Sequence, residues 1–155
     1  MSLLLKLNFC VFFVFHVFGI LNAHNTPPSS KCFEPYRITI TNREVPEVVV
    51  GSDDRGAEVI HPGESVSWNF RMGFFGANKY NCRFYWFEGN NSVTPCEETT
   101  FPVFDDEIIK LCGNSLFSMN RCYWSITRID FYFSKIDAGW PNYAWRIMHT
   151  WRFGG

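Results

Sequence analysis

Five cysteines, Cys32, Cys82, Cys96, Cys112 and Cys122, carry most of the reactive chemistry available to this chain; a sixth, Cys10, lies in an apolar leader. In an oxidising compartment their default chemistry is disulfide formation. Five is odd, so at most two bonds form within one chain. Five choices of the unpaired cysteine, with three pairings each, leave fifteen arrangements, and spacing selects none of them. The remaining thiol is either free or joins a second copy in a disulfide-linked dimer. Zinc is the rival chemistry. It needs closely spaced ligand pairs, and the chain has no CxxC and only His24, His61 and His149 beyond the leader. No metal and no cofactor are expected.

Catalysis by a side chain needs a nucleophile, a base and a group that orients the base. His61 and His149 are the candidate bases, and neither sits in a catalytic motif. His149 alternates with Trp145, Ile147 and Trp151, which is the setting of a satisfied core histidine. The expectation is a protein that is not an enzyme. The acidic groups Asp53-Asp54 and Asp105-Asp106-Glu107 lack the further oxygen ligands of a calcium loop and read as solvated turns. Asp53 and Asp54, with Phe74 and Phe75 in the Gly73–Lys79 loop, are the candidates for partner contact, because loops on a rigid scaffold commonly carry recognition. Asn90-Asn91-Ser92 is an N-glycosylation sequon on a second predicted loop, Glu88–Thr99.

The elements that must position these groups read as strands. Cys122, Trp124 and Ile126 fall on one face of an extended chain, and Tyr123, Ser125 and Thr127 on the other. Phe131-Tyr132-Phe133 repeats the pattern after a polar break, so the two runs form a hairpin. A cysteine two residues before a tryptophan on the same face suits a disulfide packed against an indole. Ser65–Phe70 is the cleanest alternation, with Val66, Trp68 and Phe70 inward. Tyr36–Asn42 and Tyr80–Phe87 alternate as well, and the second, aromatic on both faces, reads as central. Val48–Val50 reads as a short strand buried on both faces. Ala57–His61 is short and ends at Pro62-Gly63. Pro102 places the Phe101–Phe104 strand at an edge. Asp105–Lys110 opens a turn or two of helix, since acids suit a helix N-terminus. Ala144–Arg152 makes the last strand, with Trp145, Ile147, His149 and Trp151 on one face. About eight or nine short strands, and no long helical period, predict an all-β protein: a two-sheet antiparallel β-sandwich stabilised by disulfides.

Residues 1–23 have the form of a secretory signal peptide. One cation, Lys6, precedes the apolar run Leu7–Leu21, and Ala23 supplies a small residue for cleavage. Residues 24–31, rich in proline and small polar residues, are expected to be a flexible N-terminal segment, and 32–155 a single β-sandwich domain. The mature protein is therefore expected to be secreted, with no membrane insertion after signal cleavage. A formal net charge of −1 argues against a nucleic-acid partner. Aromatic residues are 19% of the chain, so Phe and Trp fill much of the core.

In order and spacing the motifs ITITN, SDDRG, PGESVSWNF, YNCRFYW, FPVFD, CYWSI with FYFSK, and a closing WPN followed by two tryptophans resemble the plant self-incompatibility S-protein homologues. The likeness runs from about Tyr36 to Trp151. It implies a disulfide-held β-sandwich with an extracellular recognition role, and a cell-surface or secreted protein receptor as partner. In the member that typifies the family, the secreted protein is a ligand for a pollen surface protein and triggers calcium entry and pollen death. For this chain the resemblance implies a non-enzymatic signalling ligand in pollen–pistil or other cell–cell communication; the alternative is a defence or antimicrobial protein on the same scaffold. Two departures stand out. The family's His-Cys pair ahead of its Asp-Asp-x-Gly turn is replaced by Val48-Val49-Val50-Gly51. Cys82, Cys112 and Cys122 match its other cysteines, leaving Cys32 or Cys96 as substitutes. The family's Asp-Gly hairpin turn is replaced by Arg128-Ile129-Asp130, which implies a different turn type or length.

Overall fold

The computed structural model describes residues 35–52, 54–71, 79–88, 95–113, 115 and 118–151. Nine strands and one short helix follow one another in these residues: β1 (Pro35–Asn42), β2 (Glu47–Ser52), β3 (Gly56–Ile60), β4 (Ser65–Arg71), β5 (Tyr80–Phe87), β6 (Glu97–Phe104), α1 (Asp106–Cys112), β7 (Asn120–Ile126), β8 (Asp130–Ser134) and β9 (Arg146–Thr150). They form a five-stranded sheet, β4-β1-β7-β8-β9, and a four-stranded sheet, β3-β2-β5-β6. This is the expected all-β, disulfide-linked sandwich. Its pairings are antiparallel except for β1 with β7, which run parallel.

Period-2 alternation sorts each strand into an inner and an outer row. Ile38 and Ile40 of β1, Val66 and Trp68 of β4, and Cys122, Trp124 and Ile126 of β7 are all buried. From the facing sheet come Val48, Val50, Cys82, Phe84, Phe101 and Val103. Phe84, Phe101 and Phe131 form the aromatic centre, with ring centroids 4.8–4.9 Å apart in all three pairs. Stacked and edge-on aromatic contacts of this kind add to simple area burial.

Buried and part-buried polar groups then latch one sheet to the other. The Trp124 indole Nε1 donates to the Val103 carbonyl at 3.1 Å, joining β7 to β6. On the far side of the sandwich, Trp68 Nε1 donates to Glu58 Oε1 at 3.1 Å, joining β4 to β3. His149 Nε2 lies 2.7 Å from Thr99 Oγ1, joining β9 to β6. Asn42, fully buried at the end of β1, donates through Nδ2 to the carbonyls of Val45 and Ile60 and accepts from the Val45 N–H. Each of these groups would cost free energy if buried without a partner.

Turns follow local chemistry. Gly56 and Gly63 take positive φ, 74° and 84°, where a side chain would be strained. The β7–β8 hairpin needs no glycine. Thr127 Oγ1 accepts from the N–H of Ile129 and of Asp130, and Thr127 N–H donates to the Asp130 carbonyl. Asp105 caps α1, accepting from the Glu107 and Ile108 N–H groups at 3.0 and 2.9 Å.

Three expectations are corrected. Val48–Val50 is not buried on both faces: Val48 and Val50 are inward, and Val49 is half-buried on the outer face. The segment expected as a loop up to Thr99 already pairs as strand from Glu97, opposite Trp86. In the last strand Ile147 points outward and is 55% exposed. The cause is an irregularity in the β8–β9 ladder: Phe131 pairs with His149 and Tyr132 with Ile147, so Met148 is an extra residue that shifts the alternation.

Candidate functional site

The β2–β3 turn, the SDDRG stretch of the sequence, is organised around Asp54. Tyr80 at the start of β5 brings its phenol oxygen 2.5 Å from both Asp54 Oδ1 and Ser52 Oγ. A phenol has one proton and the carboxylate is the stronger acceptor, so that proton goes to Asp54. The hydrogen bond from Tyr80 holds the Asp54 carboxyl below the usual carboxylate range. Burial first, and then the bond to Asp54, push the Tyr80 phenol up to about 12.

Arg55 completes the cluster. Its guanidinium lies 5.1 Å from the Phe70 ring centroid and 5.7 Å from that of Tyr80, donates to the Asn69 carbonyl at 3.3 Å, and stands 3.8 Å from Asp54. Phe70 belongs to one sheet and Tyr80 to the other, so the turn straddles that end of the sandwich. Asp54 remains exposed although its carboxylate is already engaged. It is thus a rigidly held anion at the surface rather than a free one, which suits a recognition contact fixed in advance.

The other partner-contact candidates, Asp53, Phe74 and Phe75, lie outside the described residues, as do Asn90 and Cys32. Residues 72–78 connect β4 to β5, and their flanks, Phe70 and Tyr80, are the aromatic floor under Arg55. Sequence reasoning missed Tyr80, Arg55 and Asn42 as organising residues. Their signal, a Tyr opening a strand and an Asn closing one, acquires meaning only when distant turns are brought against them.

Of the cysteine candidates, Cys112 at the end of α1 and Cys122 of β7 form a disulfide, with Cα atoms 5.5 Å apart. Cys82 and Cys96 are free thiols. Cys82 is buried in the core, and that burial, helped by the Asp54 charge, pushes its thiol up to about 12. Cys96 is exposed beside the start of β6. His149, the candidate base, is packed against Phe101 at 4.3 Å between ring centroids, with Thr99 on its Nε2. Among the described residues no three His, Cys, Asp or Glu side chains group as metal ligands, and no helix is long and apolar enough to cross a membrane.

The described residues thus form a disulfide-linked two-sheet sandwich with a charged turn at one end. The comparisons give it a family. The family model for plant self-incompatibility protein S1 matches residues 50–151, and the chain belongs to that family. It is similar to S-protein homolog 2 of Arabidopsis thaliana, with 34% identity over 76 residues. That stretch is 49% of this chain and 42% of the relative, so the match spans less than half of that protein's length. No solved structure matches the chain.

Proposed function

We propose that this protein is a secreted, non-enzymatic signalling ligand that recognises a cell-surface or secreted protein receptor. Membership of the plant self-incompatibility S1 family carries the reading. The Cys112–Cys122 disulfide supports an oxidising compartment, and with it export through a signal peptide in residues 1–23. In this reading residues 32–155 are one domain, Asn90 carries a glycan, and the ligand acts in pollen–pistil or other cell–cell communication. Its receptor-facing end is the one built around Asp54, with Asp53, Phe74 and Phe75 contributed by the neighbouring turn and loop. Asp54 offers the receptor a fixed negative charge whose orientation is set before contact.

The test is binding of labelled, oxidised mature protein to cells of the tissue that meets it. Saturable binding that is lost on reduction, and weakened by Asp54→Asn with the fold intact, is the expected result. A folded sample that binds no such cells, yet inhibits microbial growth, would overturn the ligand reading in favour of defence.

A further inference from the structure

The outer face of the five-stranded sheet carries a second surface, independent of the Asp54 end. Strands β4, β1 and β7 lie side by side and contain no Asp or Glu at all. Their outward residues fall into register as rows. Asn69, Arg37 and Arg121 make one row; Ser67, Thr39 and Tyr123 the next; Ser65, Thr41 and Ser125 the third. Arg71, opposite Pro35, extends the first row diagonally.

Hydrogen bonds hold the rows flat. Arg37 Nε donates to Asn69 Oδ1 at 3.0 Å, Thr39 and Ser67 hydroxyls meet at 2.9 Å, and those of Thr41 and Ser65 at 2.8 Å. The third row is closed by Arg43, which donates to Ser125 Oγ at 3.1 Å and is bracketed by Trp140 and Trp145, 5.8 and 5.7 Å from its guanidinium.

Arg37 and Arg121 are direct cross-strand neighbours, and Arg71 adds a third exposed cation. Like charges in direct opposition destabilise a sheet, and no described carboxylate pairs with any of the three. The opposite sheet differs: its outward Arg83 stands 3.7 Å from Glu98. Among the described residues the row thus has no carboxylate of its own, and its guanidinium groups are available to an external anion. Guanidinium groups take carboxylates by paired N–H donors, and the adjoining Ser, Thr, Asn and Tyr groups both donate and accept, as sugar hydroxyls do. The outward side chains of these strands are polar or cationic apart from Pro35 and the Tyr123 ring, so the face carries no aliphatic patch of the kind a membrane surface takes up.

We infer that this face binds a carboxylate-bearing polysaccharide, a polyuronate chain laid across β4, β1 and β7 with its acid groups on Arg71, Arg37 and Arg121. The site would hold the protein in an acidic extracellular matrix, separately from any receptor contact.

The test is titration of the mature, oxidised protein with polygalacturonate, with fully methyl-esterified polygalacturonate and with phosphatidylserine vesicles as comparators. Expected are binding to the free acid that weakens as salt rises, little binding to the ester, and less to vesicles than to the free acid. The triple variant Arg37→Gln, Arg71→Gln, Arg121→Gln should lose about tenfold or more in affinity. Its Tm should be unchanged or raised, because the three side chains are exposed and mutually repulsive. A second triple variant, Lys110→Gln, Arg128→Gln, Lys135→Gln, changes the net charge equally away from the face and should bind as the parent does. Absence of binding, equal loss in the two variants, or stronger binding to vesicles than to the free acid would overturn the proposal.

Discussion

Trp124 and Val103 sit on different sheets, and the indole N–H of the first is bonded to the carbonyl of the second at 3.1 Å. The bond runs through the middle of the sandwich, so a residue that the sequence marks only as inward-facing also sets the spacing of the two layers. Trp124→Phe keeps an aromatic ring but leaves a small cavity and an unpaired buried carbonyl. The expected loss is about 2–3 kcal/mol in urea unfolding at neutral pH. A loss below about 1 kcal/mol would mean that the bond does not couple the layers.

Asn42 ties the end of β1 to Val45 and Ile60 with three hydrogen bonds, all buried. Asn42→Ala leaves two carbonyls and one N–H without partners and should cost about 3 kcal/mol or more. Asn42→Asp keeps the shape but replaces the donor by an oxygen facing the same carbonyls. Equilibrium unfolding should show Asp to be no better tolerated than Ala. An Asp variant close to the parent would show that donation to those carbonyls is not what the site requires.

The three described cysteine environments predict three reactivities. Alkylation of the native protein near pH 8 should label Cys96, leave Cys82 untouched until the chain is unfolded, and leave Cys112 and Cys122 untouched until it is reduced. Peptide mapping by mass spectrometry reads all three. The Cys112–Cys122 bond closes a sequence separation of 10. By the chain-entropy relation for a loop that short, Cys112→Ala with Cys122→Ala should lose roughly 2–3 kcal/mol.

Acid should dissolve the link between Tyr80 and Asp54. The Asp54 carboxyl is held low in the folded protein. Its contribution to stability is therefore present above the unfolded carboxyl value of about 4 and is lost as pH falls through the lower folded value. Tyr80→Phe removes the donor, so the Tm gap between parent and variant should be constant from about pH 5 to 8 and should narrow below about pH 4. At the alkaline end the sign reverses. Tyr80 is raised from 10.0 to about 12, so the stability it contributes is present below about pH 10 and is lost as pH rises through the folded value. A gap that stays constant into acid would show that Asp54 is not the acceptor.

Sequence alone determined the all-β class, most strand positions, the turns ending at Gly56 and Gly63 and the short acidic start of α1, because alternation, turn-residue chemistry and charge at a helix N-terminus are local properties of a few consecutive residues. It also marked Cys122 and Trp124 as inward neighbours, but it left fifteen cysteine arrangements open. Only the tertiary structure selected Cys112 as the partner of Cys122, by bringing the end of α1 against β7. Only the structure turned Ile147 outward, because one extra residue in the β9 ladder inverts every side chain beyond it. The parallel pairing of β1 with β7 set Arg37 beside Arg121 across a separation of 84 positions. Such juxtapositions depend on which strands become neighbours, and that is decided by burial of the whole apolar surface rather than by any one stretch of chain.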